Sequence, residues 1–459
     1  MNDTIAAIST AWGEAGIAIV RVSGPDAVPL ACSVLRFGSS GFPPPREMRL
    51  ASLLDEKGEV CDQVLAVRFI SPKSYTGEDM VEIQTHGGSL VARMCLEALT
   101  RRGARIAEPG EFTRRAFLNG RMDLSQSEAV LGVIQSRSAE ALHAAARSLA
   151  GGLSRPVEKI RAELLTLQGN LEVGLDFPEG ETALMDDAAF SRALDGVIAD
   201  LEDLEARCSA GALLREGVSV VIAGRPNVGK SSLLNAFLDR DRAIVTDIPG
   251  TTRDLIEEPF LLQGIPLRLA DTAGLRESNE AVEAMGIERA RDAAAVADLC
   301  LWVLDGSCPL PQDEGDYLRG LNPSISIIVL NKSDLPRAVS EADLRAAFSG
   351  LRLPIVPLSA RTGDGLDELK EKIVSLILGG SERGAGLNEG LNVTARQLAD
   401  VRSCLLAVQE ARNAHEEGLG QDLAAGALGR ARQALDELLG VAYDDALLDS
   451  IFSRFCVGK

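Results

Sequence analysis

The chain has 459 residues and carries 47 basic against 67 acidic side chains, a formal charge of −20, which argues against a protein whose main business is to coat nucleic acid electrostatically. No apolar stretch approaches membrane-spanning length and Met1-Asn-Asp-Thr is no signal peptide, so a cytoplasmic protein is expected. The eight cysteines have neither CxxC nor zinc spacing and read as free thiols in a reducing compartment, and the length suggests about two to four domains.

From about residue 5 to 117 the pattern is mixed α/β. Residues 17–22 (IAIVRV), 64–70 and 80–85 predict strands, and 89–100 a helix. Arg101, Arg102, Arg105, Arg114, Arg115 and Arg121 make a candidate basic patch, or equally a solvated face of an acidic body. From about 121 to 214 apolar residues recur at three-to-four spacing, first Leu124, Val130, Leu131 and Ile134, then Ile160, Leu164, Leu167 and Leu171. This predicts long helices broken near Gly151-Gly152 and at Asp176-Phe-Pro178. A different texture occupies 215–379 and ends in a Gly-rich linker, after which helices resume across 380–459. Amphipathic helices on both sides need partners for their apolar faces, so 215–379 reads as a domain inserted into one helical domain. Two independent helical domains are the alternative.

The centre of the chain is residues 218–237, VSVVIAGRPNVGKSSLLNAF. An apolar run ends at Gly224, the following residues fit G-x-x-x-x-G-K-[ST], and Leu233, Leu234 and Phe237 continue at helical spacing. Such a loop turns backbone N–H groups onto phosphate oxygens at a helix N-terminus. Gly224, Asn227, Val228, Gly229, Lys230, Ser231 and Ser232 are its candidate nucleotide contacts, with Lys230 reaching the β/γ-phosphates and Ser231 a Mg²⁺ ligand. Thr251-Thr252-Arg253 stands where a first switch offers Thr252 to the metal, and Asp271-Thr272-Ala273-Gly274 follows an apolar run as a second switch must. Asn331-Lys332-Ser333-Asp334 follows another strand-like run, where the Asp334 carboxylate can accept both donors on guanine's edge. Ser359-Ala360-Arg361 can offer a backbone N–H to the guanine carbonyl. These pieces in this order define a doubly wound, Ras-like GTP-binding domain.

Outside that domain, several stretches carry a resemblance together. They are Asp3-Thr-Ile-Ala, Gly16 to Gly24 (GIAIVRVSG), Tyr75 to Ile83 (YTGEDMVEI), His86-Gly-Gly88, Pro109 to Asn119 (PGEFTRRAFLN), Arg121-Met-Asp-Leu124, Leu175-Asp-Phe-Pro178 and the final Cys456-Val-Gly-Lys459. With the central GTPase they closely resemble the bacterial tRNA modification GTPases called MnmE or TrmE, over the whole chain. Small departures are Arg121 where that family more often has lysine, and Pro249 where alanine is common.

The resemblance implies an N-terminal α/β domain, residues 1–120, that dimerises and binds a 5-formyl- or methylene-tetrahydrofolate. Arg21, Glu82, Arg121 and Lys459 match the folate-contacting positions; from spacing alone Arg21 would be an edge-strand surface residue and Glu82 a solvent-facing one. It implies a homodimer working with a flavin (FAD)-dependent partner, GidA or MnmG, in a heterotetramer that attaches an aminomethyl-type group (carboxymethylaminomethyl) to carbon five of the wobble uridine of certain tRNAs. Leu275 replaces the water-positioning glutamine of many G proteins, and Glu283 matches the family's catalytic glutamate, with Glu277 and Glu280 rivals by spacing. No arginine finger is identifiable in cis. The family uses K⁺ instead, which implies ligands from Asn227 and from Thr246, Ile248 and Thr251 of switch I. Cys456 invites a covalent role but has only Lys459 nearby to activate it. A ribosome-assembly GTPase shares the central motifs and is the rival reading; it would carry an appended basic RNA-binding module.

Overall fold

The computed structural model describes residues 3–38, 41–176, 185–240, 260–269, 297–311, 313–348, 352–377 and 389–459. The chain divides into two compact units. One comprises Met1–Leu131, Leu149–Leu201 and Ala399–Lys459; the other comprises Gly132–Ser148 and Glu202–Leu398.

The first unit contains a seven-stranded sheet. Its strands are β1 (Ile5–Ile8), β2 (Ile17–Ser23), β3 (Leu35–Phe37), β4 (Arg49–Leu54), β5 (Val60–Phe69), β6 (Met80–His86) and β7 (Arg105–Ile106), in the order β3-β4-β5-β6-β2-β1-β7. Side chains alternate across the pleat. Ala18, Val20 and Val22 of β2 bury against the helices Ala27–Val34 and Ser89–Arg101, through Ala31, Val34, Cys95 and Leu99. The intervening Ile17, Ile19 and Arg21 therefore face the opposite side, which the two helices leave uncovered. Because β2 lies between β1 and β6, Arg21 sits on an interior strand rather than an edge, and its side chain is 13% exposed.

Long helices complete this unit. Ser154–Asp176 packs along Gln421–Leu439, with Arg161 paired to Asp436 and Arg432 Nε donating to Gln168 Oε1 at 3.3 Å. Segments far apart in sequence thus share one core, because each presents an apolar stripe that water would otherwise cover. Phe117, Leu124, Val130 and Leu131 likewise pack with Leu448, Ile451, Phe452 and Phe455. Ile134 lies in the Leu124–Gln135 helix, as its spacing predicts, on an exposed face. One expectation needs correction. The arginines from 101 to 121 form no free basic patch: Arg115 is 1% exposed and pairs with Asp3, Glu78 and Glu111, Arg105 shares Asp3 and Glu111, and Arg114 pairs with Asp449.

The second unit holds a six-stranded sheet of β8 (Val218–Ala223), β9 (Phe260–Leu262), β10 (Ile265–Leu269), β11 (Leu299–Asp305), β12 (Ser326–Asn331) and β13 (Ile355–Pro357), in the order β13-β12-β11-β8-β10-β9. All neighbours are parallel except the β9–β10 hairpin. Val218, Val220 and Ile222 of β8 face Leu233, Phe237, Leu369 and Ile373 of the helices Lys230–Arg240 and Leu366–Ile377. Val221 and Ala223 face the other layer, with Leu318 and Leu344 of Glu314–Arg319 and Glu341–Ala347. Burial of β8 on both faces is why it reads as a continuous apolar run. Among the described residues no helix is long and apolar enough to cross a membrane.

Candidate functional site

The phosphate loop leaves β8 at Gly224, whose φ of +137° and whose place against β11 both demand glycine: a Cβ there would lie 2.3 Å from the Val303 carbonyl oxygen. Asn227 is exposed and left-handed, at φ 62°, a conformation that asparagine tolerates better than most residues. Lys230 begins the Lys230–Arg240 helix, and its ammonium donates to the carbonyls of Gly224 at 2.8 Å and Arg225 at 2.7 Å. Half-burial pushes its amine below the ordinary lysine range. Ser231 and Ser232 occupy the first turn of that helix, and the Ser231 hydroxyl is a hard oxygen of the kind that could ligate Mg²⁺.

Asn331 joins the pieces. It ends β12 with 2% of its surface exposed, donates from Nδ2 to the Val228 carbonyl at 2.8 Å, and accepts at Oδ1 from the Ala360 N–H at 3.0 Å. Gly229 lies so close that a Cβ would fall 2.1 Å from Asn331 Nδ2. One carboxamide thereby staples the phosphate loop to both loops expected to hold the base.

Beyond it, Asp334 accepts from the Ser359 hydroxyl at 2.7 Å and pairs with Arg361 at 2.7 Å. The Ser359 hydrogen bond, helped by Arg361, holds its carboxyl below the usual aspartate range, so it remains an ionised acceptor. Lys332 is left-handed at φ 65°, and its ammonium meets Asp305 at the end of β11, 2.6 Å away. Burial alone would raise the Asp305 carboxyl, but Lys332 and Ser307 outweigh it and hold the group down.

The structure therefore brings together Gly224, Asn227, Val228, Gly229, Lys230, Ser231, Ser232, Asn331, Lys332, Asp334, Ser359, Ala360 and Arg361 around the C-terminal ends of parallel strands, where open α/β sheets place ligands. Thr246, Ile248, Thr251, Thr252, Asp271, Thr272, Ala273, Gly274 and Glu283 lie outside the described residues.

A second cluster occupies the first unit. Arg21 on β2 and Glu82 on β6 are cross-strand partners, joined at 2.7 Å. The Arg21 guanidinium also lies 5.3 Å from the Tyr75 ring centre and 5.6 Å from that of Phe112, and donates to the Gly458 carbonyl at 3.4 Å. Tyr75 is fixed in turn by Thr113, hydroxyl to hydroxyl at 2.9 Å. The chain's last residues dock beside them. Val457 bridges Pro109, the Gly110 N–H reaches the Cys456 carbonyl at 3.4 Å, and the Phe112 N–H reaches the Lys459 carbonyl at 3.2 Å. Gly458 at φ 94° permits this approach, since a Cβ would fall 2.5 Å from the Ile8 carbonyl oxygen. Burial, then the neighbouring Arg21, pushes the Lys459 amine below its ordinary range. Two cations beside one carboxylate fit a ligand with both acidic and donor groups. Arg121 is exposed, donates from Nε to the Ser74 carbonyl at 3.1 Å and packs on Gly77, one residue from Tyr75's neighbour Thr76. Cys456 is exposed, and all eight cysteines are free.

Sequence reasoning missed Tyr75, Phe112 and Gly458 as a cradle for Arg21, and Arg225, Asp305, Trp302 and Glu314 around the phosphate loop. His86, the last residue of β6, meets Asp62 through Nδ1 at 2.6 Å.

The family description "MnmE helical domain" matches residues 124–456, and "GTP-binding protein TrmE N-terminus" matches residues 4–121. Proteins named "tRNA modification GTPase MnmE" are 44% identical in Geobacter sulfurreducens, 44% in Moorella thermoacetica and 41% in Thermotoga maritima, in each case over 100% of both chains. The motifs, the two clusters and these full-length similarities agree, and the chain belongs to the MnmE/TrmE family of tRNA modification GTPases.

Proposed function

We propose that this chain hydrolyses GTP in the cytoplasm in the service of tRNA modification. As a homodimer with a flavin-dependent partner of the GidA/MnmG kind, it would install a carboxymethylaminomethyl-type group at carbon five of the wobble uridine. The observation that supports the nucleotide half is the Asn331 staple, which ties the phosphate loop at Val228 to Ala360 in the loop whose Ser359 hydrogen-bonds Asp334. In this reading Lys230 and the loop N–H groups hold the phosphates, and Asp334 with the Ala360 N–H reads the base. Ser231 and Thr252 would hold Mg²⁺. Asn227, Thr246, Ile248 and Thr251 would hold K⁺, a fixed positive charge for the phosphoryl oxygens. Glu283 would orient the attacking water.

The folate half rests on the Arg21–Glu82–Lys459 cluster. Arg21 and Lys459 suit carboxylate groups and Glu82 suits N–H donors, and a tetrahydrofolate derivative, when bound, supplies the one-carbon unit. Residues 1–120 would supply Arg21, Glu82 and the dimer contact, 121–214 with 380–459 the helical domain together with Arg121 and Lys459, and 215–379 the GTPase.

The deciding experiment is nucleoside mass spectrometry of tRNA from a strain lacking this gene and from the complemented strain. Loss of the wobble-uridine modification, restored by the wild-type chain, is expected; unchanged wobble uridines would overturn the reading.

A further inference from the structure

The side chain of Arg225, the second residue of the phosphate loop, turns away from the loop's mouth and into the protein. Its Nε donates at 2.8 Å to Oε2 of Glu314, a carboxylate with no exposed surface. The other oxygen, Oε1, accepts from the Trp302 indole N–H, also at 2.8 Å. Trp302 cannot drift: it is 2% exposed, stacks on Tyr317 with ring centres 5.8 Å apart, and lies in β11 between Ala223 of β8 and Ile328 of β12. The carboxylate is thus anchored to the middle of the sheet, and Arg225 to the carboxylate. A buried carboxylate is tolerated only when paired and hydrogen-bonded, and Arg225 supplies the positive charge. Asp313, next in sequence, also contacts the guanidinium.

We infer that Glu314 is a positioning residue for GTP binding, acting through Arg225 to fix where the phosphate loop begins. Gly224 is already pressed on the Val303 carbonyl, and the Arg225 carbonyl accepts from Lys230, so a tether at this point sets the direction of the N–H groups that follow. The inference rests on reading residues 224–232 as the GTP site. It assigns Arg225 a place against the sheet and not on the nucleotide.

The test compares the full-length wild type with Glu314→Gln, Arg225→Lys and the double variant Arg225→Met/Glu314→Gln. The readouts are KM and kcat for GTP hydrolysis and the Kd of a fluorescent methylanthraniloyl-GTP. Glu314→Gln keeps an acceptor for Trp302 but sets an amide donor against Arg225. KM and Kd should rise about tenfold with kcat within about twofold, the signature of lost uniform binding. Arg225→Lys should fall between this and wild type. The double variant leaves no lone buried charge, so a merely structural role predicts wild-type KM there, and that result would overturn the inference. Unchanged or tighter binding in Glu314→Gln, with weakened binding in Arg225→Lys, would overturn it too by placing Arg225 on the nucleotide. A wild type that binds no GTP would instead defeat the functional reading beneath it.

Discussion

Arg21 and Glu82 face each other across neighbouring antiparallel strands, and the arginine's Nε and Nη2 both donate to one carboxylate oxygen, at 3.0 and 2.7 Å. The second oxygen remains an acceptor. Glu82→Ala removes it and frees Arg21 from its anionic partner in a half-buried place. Affinity for 5-formyltetrahydrofolate, measured by titration calorimetry, should fall at least about tenfold, as expected for loss of a charged hydrogen bond. KM for GTP should not move. Wild-type folate affinity would remove Glu82 from the site.

In the proposed reading Asp334 reads the base. Asp334→Asn exchanges an acceptor for an amide and should weaken GTP at least about tenfold while improving xanthosine triphosphate. The Ser359 hydroxyl and Arg361 keep the native carboxyl below its ordinary range. It therefore stays charged as pH falls to values where an ordinary aspartate begins to protonate, and is neutralised only below them. GTP affinity should accordingly resist mild acid in the wild type. In Ser359→Ala the onset of its loss should shift upward in pH, checked by equilibrium binding across an acid series.

Glu283 is assigned to the attacking water. Glu283→Ala should leave nucleotide affinity nearly intact and lower turnover by about 10²–10⁴, the range for a positioned proton-transfer or water-orienting group. Single-turnover hydrolysis beside equilibrium binding separates the two. A comparable loss from Glu277→Ala, with Glu283→Ala active, would reassign the role.

Asn227 tests the cation. A monovalent ion held by its side chain and by switch I carbonyls would stand where an arginine finger otherwise acts. Turnover in KCl should exceed turnover in NaCl at equal ionic strength, because the smaller ion fits the same oxygens poorly. Asn227→Ala should abolish that difference and retain GTP binding through Lys230. Equal wild-type rates in the two salts would refute the potassium mechanism.

Where one strand or loop carries the chemistry, the sequence was readable. The run before Gly224, the helix after Lys230 and the Asn331-to-Asp334 turn lie where their apolar flanks predicted, because a doubly wound sheet repeats the same strand–loop–helix unit. Contacts between distant segments left no local signal. Arg21 read as an edge residue since nothing in IAIVRV tells that β1 pairs on its far side. Glu314 drew no reading from sequence, as its partners Trp302 and Arg225 come from a strand and a turn that only the sheet brings together. The arginines after residue 100 read as a basic patch or a solvated face because their carboxylate partners Asp3, Glu78 and Asp449 come from elsewhere in the chain.

The docking of residues 456–459 on Pro109, Gly110 and Phe112 also has a temporal meaning. During synthesis the sheet bearing Arg21 and Glu82 emerges first, and the segment that closes over it emerges only after the whole of the inserted GTPase. A ribosome that stalls or a protease that cuts between them would leave Arg21 without its Gly458 contact and without Lys459. In the proposed reading, the carbonyl and the cation that complete this cluster thus join Arg21 and Glu82 only after the GTPase has been made.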